Sequence, residues 1–483
     1  MKDMLIQLLP LLVVLGTSFL VLLFSSWWKK INSELLVILS IAGLASSIAF
    51  SWQWWVRGVT FQEGVFPLMV RFDSFSLISF ILFAFSAGIA VISSFNYANT
   101  RSFSFGEYLS LILFAVFGAG LMACGTNLMV IFIGLEILSL PLYVLAGFNF
   151  KESASHEASV KYFLLGALAS VFFLFGIAFY YGATGSTDIM ISGAMPPDKE
   201  SFVAILTFIS AGLIISGLGF KISAVPFHFW TPDVYQGAPL PVTTFFATTV
   251  KAAAFIAFFR VFGGLIIISD KDLTPLISVI AVATMVVGNL SALFQEDLKR
   301  LLAYSSIAHA GYMLLAFTFL KEDPALSYST MFFYLLAYML MTAGAFIVIS
   351  MMNGTDRERA SISDFAGLSK KSPWLALAFS IFLFSLAGFP PTGGFFAKFY
   401  LFKGALDYHH VTLVIIAVLN SLVAVYYYMR PVVVMYFGTE PARTEEESDE
   451  TNYSCIGTVA FAAVTVILLG IFPSTILAIL QKY

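Results

Sequence analysis

The sequence predicts an all-α, polytopic membrane protein of about fourteen transmembrane helices, and three observations carry that prediction. Of its 483 residues 59% are hydrophobic and only 11% are charged, against about 25% charged in a soluble domain. Mean hydropathy is +0.92. Apolar runs of roughly 20 residues, the length that crosses a bilayer, recur along the whole chain. Strand-length alternation of apolar and polar residues is missing, which argues against a β-barrel.

The runs centre near Leu15, Gly43, Phe83, Ala115, Glu136, Phe172, Leu213, Ala253, Ala283, Leu314, Leu340, Phe384, Ala417 and Ala463. The first, Leu5 to Phe24, lacks a small-residue cleavage site and is followed by Trp27, Trp28, Lys29 and Lys30. It therefore reads as a first span and not as a cleaved signal peptide. All seven tryptophans fall near proposed span ends, where an apolar ring with one N–H is best placed. With the N-terminus outside, thirteen Lys and Arg lie on the inner side and nine on the outer, with three left inside the membrane. That bias favours both termini on the outer, periplasmic face. The loops leave no room for a soluble domain, and the acidic stretch 438–452 reads as a solvated loop.

A formal net charge of -3 points to no polyanionic partner, nucleic acid included. Cys124 and Cys455 lie far apart with no Cys/His cluster, so the pattern supports no disulfide framework, metal or iron–sulfur site. Gly118, Gly120 and Ala123 fit GxGxxA. They sit inside an apolar run without a strand–turn–helix setting, so a dinucleotide site is excluded.

Two spans are interrupted. One holds Lys221 and then Pro226; the other reads SLAGFPPTGGFFAKFYLF, with Pro390, Pro391 and then Lys398. Proline lacks an N–H and clashes with the carbonyl four residues back. Pro226 therefore frees the carbonyl of Ile222, and Pro390 and Pro391 free those of Leu386 and Ala387. The broken spans are seventh and twelfth. Glu136 lies two spans before the first break's lysine and His309 two spans before the second's. This predicts two five-helix copies, the second inverted because five is odd, with a transport site near the midplane. The chain divides into three helices over 1–105, a first repeat over 106–265, a second over 270–438, and the acidic loop with the last helix over 439–483.

Charge inside a membrane is expensive and usually functional. Glu136 and Lys221 form the natural acid–base pair. Moving a carboxylate toward or away from a desolvated ammonium changes its proton affinity by about 4 kcal/mol. A proton crossing ~200 mV costs about 4.6 kcal/mol, so such a pair has the right energy scale for pumping. Lys251 follows Thr243, Thr244, Thr248 and Thr249, whose hydroxyls suit water. His309 shares its span with Tyr304, Ser305 and Ser306. Imidazole suits proton relay, which makes His309, and His228 near Trp230, candidates too; for His228 a buried structural role is an equal reading. Glu136, Lys221, Lys251, His309 and Lys398 thus form a polar series drawn from both halves. A selective pore would instead show rings of carbonyls or like charges.

The stretches FKISAVPFHFWTPDVYQGAPLPVTTFFATTVK, KRLLAYSSIAHAGYM and SLAGFPPTGGFFAKFYLF resemble the antiporter-like subunits of respiratory complex I, the NADH–quinone oxidoreductase of bacteria. The likeness runs over nearly the whole chain. The PFHFWTPDVYQGAP wording, and a lysine rather than a glutamate at 398, fit one subunit type better than the others. The resemblance implies two inverted five-helix bundles, each with a broken helix. It implies that Glu136 and Lys221 are the acid and base of the first half, Lys251 a bridging lysine, His309 a central residue and Lys398 the lysine of the second half. It also implies a translocase subunit in the bacterial inner membrane. NADH, FMN, iron–sulfur clusters and quinone would lie on partner subunits, and no cofactor on this chain. Further antiporter-like subunits would be neighbours in the membrane arm. A subunit of a multisubunit cation/proton antiporter, or a non-transporting scaffold, would show a similar charged series.

Overall fold

In the computed structural model the described residues are 6, 8–27, 32–58, 69–101, 104–189, 200–268, 273–352, 360–439 and 453–481. Trp28, Lys29, Lys30 and nearly all of the acidic loop fall outside them. The described residues are helical almost throughout, and the β structure among them is confined to isolated bridges. Thirteen of the helices are long and apolar enough to cross a membrane. Each of the fourteen span centres read from sequence falls within a helix.

The order is α1 Leu9–Trp27, α2 Ser33–Val56, α3 Ser74–Arg101, α4 Phe105–Cys124, α5 Leu128–Ala146, α6 Ser153–Thr184 and α7 Glu200–Ile222. Then come α8 Trp230–Gly237, α9 Leu240–Phe245, a π-helical turn Phe246–Val250, and α10 Lys251–Ile268. The rest is α11 Thr274–Leu293, α12 Leu298–Leu314, α13 Pro324–Met351, α14 Leu368–Lys371, α15 Pro373–Ala387, α16 Gly393–Asp407, α17 Val411–Phe437, α18 Tyr453–Ile471 and α19 Pro473–Leu480. Helices suit this composition because lipid offers the backbone no hydrogen bonds. Their starts carry local signals. Asn32, Asn127, Asp297 and Asp323 cap with side-chain oxygens, and proline stands in the first turn of α11, α13, α15 and α19.

The chain forms two compact units. The first comprises 1–91, 104–223 and 249–272; the second comprises 92–103, 224–248 and 273–483. In the first, α1 packs on α2 and α4, α4 on α5, α5 on α6, α6 on α7, and α10 on α4 and α7. In the second, α11 packs on α12, α12 on α8, and α17 on α11 and α15, while α13 meets α9, α15, α16 and α18. The chain crosses between units at both ends of 224–248, so the half-helices α8 and α9 are built into the second unit.

Each unit carries the same local arrangement. In the first, Leu128 N–H donates to Thr187 C=O (2.8 Å) and Ile189 N–H to Thr126 C=O (2.9 Å), around the capping residue Asn127. In the second, Leu298 N–H donates to Ala360 C=O (2.6 Å) and Ile362 N–H to Glu296 C=O (2.9 Å), around the capping residue Asp297. The helix before each cap also touches the helix after it through glycine. A Cβ on Gly118 would overlap the Leu138 nitrogen, and one on Gly288 would lie 2.5 Å from the Ala308 nitrogen. Glycine is needed at both contacts because only bare backbones approach so closely. Gly118 of the GxGxxA match is therefore a packing residue.

Both predicted breaks are present. α7 stops at Ile222, Ser223 takes a φ of 63°, and the chain turns until Trp230. The Val225 N–H, left without a helical partner, donates to Thr284 Oγ1 of α11 at 3.0 Å. α15 stops at Ala387, Gly388 takes a φ of 93°, and α16 resumes at Gly393. The Val225–Pro226 and Pro390–Pro391 peptides are both cis.

Candidate functional site

Lys221, Lys251, His309 and Lys398 are all buried, and Glu136 is half-buried. In the first unit α5 supplies Glu136, α6 its partner and α7 the lysine. The Ser170 hydroxyl of α6 donates to Glu136 Oε1. Two turns earlier on the same face of α6, Tyr162 OH accepts from Lys221 Nζ at 3.3 Å. The ammonium also lies 4.8 Å from the centre of the Tyr162 ring and 5.2 Å from that of Tyr143, close enough for cation–π attraction. Tyr143 stands two turns after Glu136 on α5. Acid and base thus rest on separate hydroxyls of α6, Ser170 for the carboxyl and Tyr162 for the ammonium, with the carboxyl still in electrostatic reach of the ammonium.

Lys251 is the first residue of α10, directly after the π-helical turn. Such a turn adds a residue to the helix and re-aims the side chains beyond it, a frequent device at functional sites. The threonines before it are already engaged. Thr244 and Thr248 donate to Leu240 C=O and Thr244 C=O, Thr243 to Tyr235 C=O, and Thr249 to Ser86 Oγ at 2.9 Å. Their hydroxyl protons serve the helix and its neighbours, and the oxygens keep lone pairs with which to accept.

In the second unit Lys398 answers the second break. Its Nζ donates to the carbonyls of Leu386 (3.1 Å) and Ala387 (2.9 Å), the two that Pro390 and Pro391 release, and to Ser421 Oγ at 3.0 Å. It also lies 5.0 Å from the Tyr312 ring centre. The lysine thus follows its break, whereas Lys221 precedes its own. His309 sits between Tyr334 OH at Nδ1 (2.7 Å) and Tyr428 OH at Nε2 (3.2 Å). Ser305, one turn earlier, hydrogen bonds to the same Tyr428 hydroxyl. His309 and Glu136 occupy corresponding helices but not corresponding places. Glu136 is nine residues after its bridged cap Asn127, and nine after Asp297 is Ser306, one turn short of His309.

His228 lies in the turn between α7 and α8, buried, with its ring 4.5 Å from that of Phe229. Trp230 beside it is buried and packs on Tyr235, so its ring is used inside the protein and not displayed to lipid.

Residues 125–424 match the family described as NADH:quinone oxidoreductase/Mrp antiporter, TM. NADH-quinone oxidoreductase subunit N of Trichlorobacter lovleyi is 42% identical over 449 residues, 92% of this chain and 89% of that one. The chain belongs to the subunit N family. A chain of respiratory complex I from Thermus thermophilus, solved with bound aureothin, superposes with a TM-score of 0.81 at 34% identity, covering 97% of this chain and 98% of that one. A chain of the Mrp complex from Dietzia sp. DQ12-45-1b has a TM-score of 0.83 at 21% identity, over 100% of this chain and 96% of that one. That second likeness shows a shared fold.

In this subunit N family member several polar residues around the charged series escape a reading by charge alone: Tyr143, Tyr162 and Ser170 in the first unit, and Asn289, Tyr312, Tyr334, Ser421, Tyr427 and Tyr428 in the second. A signal for some was present. Ser305, His309 and Tyr312 are spaced to share one face of α12. Some loop charges proved structural. Lys299 is buried and donates to Ala238 C=O at 2.7 Å. Arg300 pairs with Asp233 at 2.7 Å, and Arg430 donates to the carbonyls of Leu293 and Gln295 at the end of α11.

Proposed function

We propose that this chain moves protons in the membrane arm of an NADH:quinone oxidoreductase, driven by electron transfer on partner subunits. The observation that carries the reading is the burial of three lysines in membrane helices, one with a carboxyl in electrostatic reach and one coordinated by the carbonyls of a broken helix. Membership of the subunit N family supplies the redox partner. In this reading Glu136 and Lys221 are the switch of the first half. Lys251 bridges, His309 relays, Lys398 is the station of the second half, and His228 lies beside the entry to α8. The proton stays on Lys221 while the carboxylate is near. It is released when the carboxylate is drawn away, and Ser170, whose hydroxyl donates to Glu136 Oε1, is the group that competes for it. The matching bridges around Asn127 and Asp297 support two copies of one five-helix unit, with the inverted relation following from their odd helix number. FMN, iron–sulfur clusters and quinone are assigned to the partner subunits. The Lys and Arg bias supports both termini on the outer side, the periplasmic one if the membrane is a bacterial inner membrane as in the family reading.

The test is Lys221→Ala in the assembled complex, reconstituted in sealed vesicles. Proton uptake driven by NADH oxidation should be lost or strongly reduced while the complex still assembles. Unchanged pumping would leave the charged series without a role and favour a scaffold. Purification of the native assembly without flavin and iron–sulfur subunits would favour an ion-gradient antiporter.

A further inference from the structure

In the second unit polar side chains from α11, α12, α16 and α17 line the way from His309 to Lys398. His309 Nε2 meets Tyr428 OH at 3.2 Å, and the Tyr428 ring lies 4.4 Å from that of its neighbour Tyr427. Tyr427 OH donates to Asn289 Oδ1 at 3.0 Å. Asn289 Nδ2 donates to Tyr312 OH at 3.2 Å. Beyond it, Lys398 Nζ lies 5.0 Å from the Tyr312 ring centre and donates to Ser421 Oγ at 3.0 Å. Every one of these polar groups between the imidazole and the ammonium is a hydroxyl, with one exception. The exception is the fully buried amide of Asn289.

That exception changes what the path can do. A hydroxyl both donates and accepts, and an imidazole does so through its tautomers, so each can take a proton on one side and release one on the other. A carboxamide accepts only at oxygen and donates only at nitrogen. Passing a proton would add one to Oδ1 and remove one from Nδ2, leaving a high-energy imidic acid. The amide is also fixed in direction. Nδ2 donates to the Met285 carbonyl at 2.9 Å and to Asn420 Oδ1 at 3.3 Å. The Asn420 amide nitrogen is itself spent on Ile416 C=O at 2.9 Å. A flipped Asn289 would set its oxygen against the Met285 carbonyl and the Asn420 amide oxygen in a dry site, which is costly.

We infer that Asn289 is a proton insulator and positioning residue: it orients the Tyr427 and Tyr312 hydroxyls while preventing a direct hop between His309 and Lys398. The inference deepens the proton-translocation reading and rests on it. Separate stations are needed for stepwise loading; a short circuit between them would let protons slip. Asn289→Asp supplies that short circuit in nearly the same volume. One carboxyl oxygen takes the Tyr427 proton as the other gives its own to Tyr312. Tyr427 is refilled from Tyr428 and His309, and Tyr312 passes its proton through Ser421 to Lys398 in its neutral form. Each O–H bond broken is replaced, and one proton is moved.

The experiment compares the assembled wild-type complex with Asn289→Asp, Asn289→Leu and Lys398→Ala in sealed vesicles, reading NADH oxidation, protons pumped per NADH, and the slowing of oxidation by an established gradient. Asn289→Asp should oxidise NADH at the wild-type rate, pump several-fold fewer protons per NADH, and lose the slowing. Asn289→Leu should lower oxidation and pumping together, because it disorients the tyrosines without providing a relay. Asn289→Ser, smaller and also a hydroxyl, should reproduce the slip if the aspartate variant does not assemble. Lys398→Ala impaired with both relay variants fully coupled overturns the insulator alone. Lys398→Ala fully coupled overturns the station it protects.

Discussion

Lys398 shows how a costly residue becomes structurally necessary. The proline pair frees two carbonyls, and the ammonium satisfies both of them. Lys398→Met keeps the length and removes the donor. Each orphaned carbonyl should then cost about 1–3 kcal/mol, seen as a lower melting temperature of the purified complex. Ser421→Ala removes one hydrogen bond and should cost only about 1 kcal/mol. At Lys221 the contributions separate differently. Tyr162→Phe keeps the ring below the ammonium and removes its hydrogen-bonding oxygen. Assembly should be unaffected while protons pumped per NADH decline, and unchanged pumping would show that the hydroxyl is dispensable. The sequence named both lysines and the freed carbonyls. It held no sign that one lysine would bind those carbonyls while the other turned to tyrosines, because partner choice depends on which helix faces carry hydroxyls.

At the scale of the element, helix contacts place these side chains. Gly288 holds α11 against α12, the helix of His309. Gly288→Val inserts a branched side chain where a Cβ alone would lie 2.5 Å from backbone. Such overpacking typically costs about 1–3 kcal/mol. The expected result is a lower melting temperature with weakened pumping. Gly212 in α7 is the control, since nothing lies within 4 Å of a Cβ there. Gly212→Ala should be neutral or stabilising by up to about 1 kcal/mol, the helix preference of alanine over glycine. Helix existence was legible from apolar run length, and the breaks from proline. The π-helical turn before Lys251 was not legible, because it inserts a residue into an otherwise ordinary apolar run.

At the scale of the whole molecule, the first unit is tied together by an ion pair. Arg260 of α10 forks onto Asp73, which precedes α3, at 2.7 and 2.9 Å. Its Nε donates to Ala123 C=O of α4 at 3.0 Å. Removing one partner of a largely buried pair typically costs about 3–5 kcal/mol, so Arg260→Ala should sharply lower the yield of assembled complex. Burial alone raises a carboxyl's pKa, but the Arg260 guanidinium, with help from the Ser76 amide, outweighs it and holds Asp73 below the usual carboxylate range. A depressed folded pKa contributes stability that is fully present above the unfolded value, about 3.9, and is lost as pH falls through the folded one. The melting-temperature gap between wild type and Asp73→Asn should therefore hold steady from neutral pH down to about 5 and close on further acidification.

Composition alone settled the solvent, the helical class and the approximate spans, because hydrocarbon admits so few backbone solutions. Motif wording pointed to the complex I family, and isolated charges in apolar runs named the candidate residues. Only the tertiary structure decided how those charges are held. It set Glu136 on Ser170, Lys221 on Tyr162, His309 between two tyrosines, and a single amide between His309 and Lys398. Uncharged polar side chains are common in membrane helices and carry little signal along the sequence. Their meaning depends on what faces them across a helix contact, and in a dry interior that geometry decides whether a proton can pass.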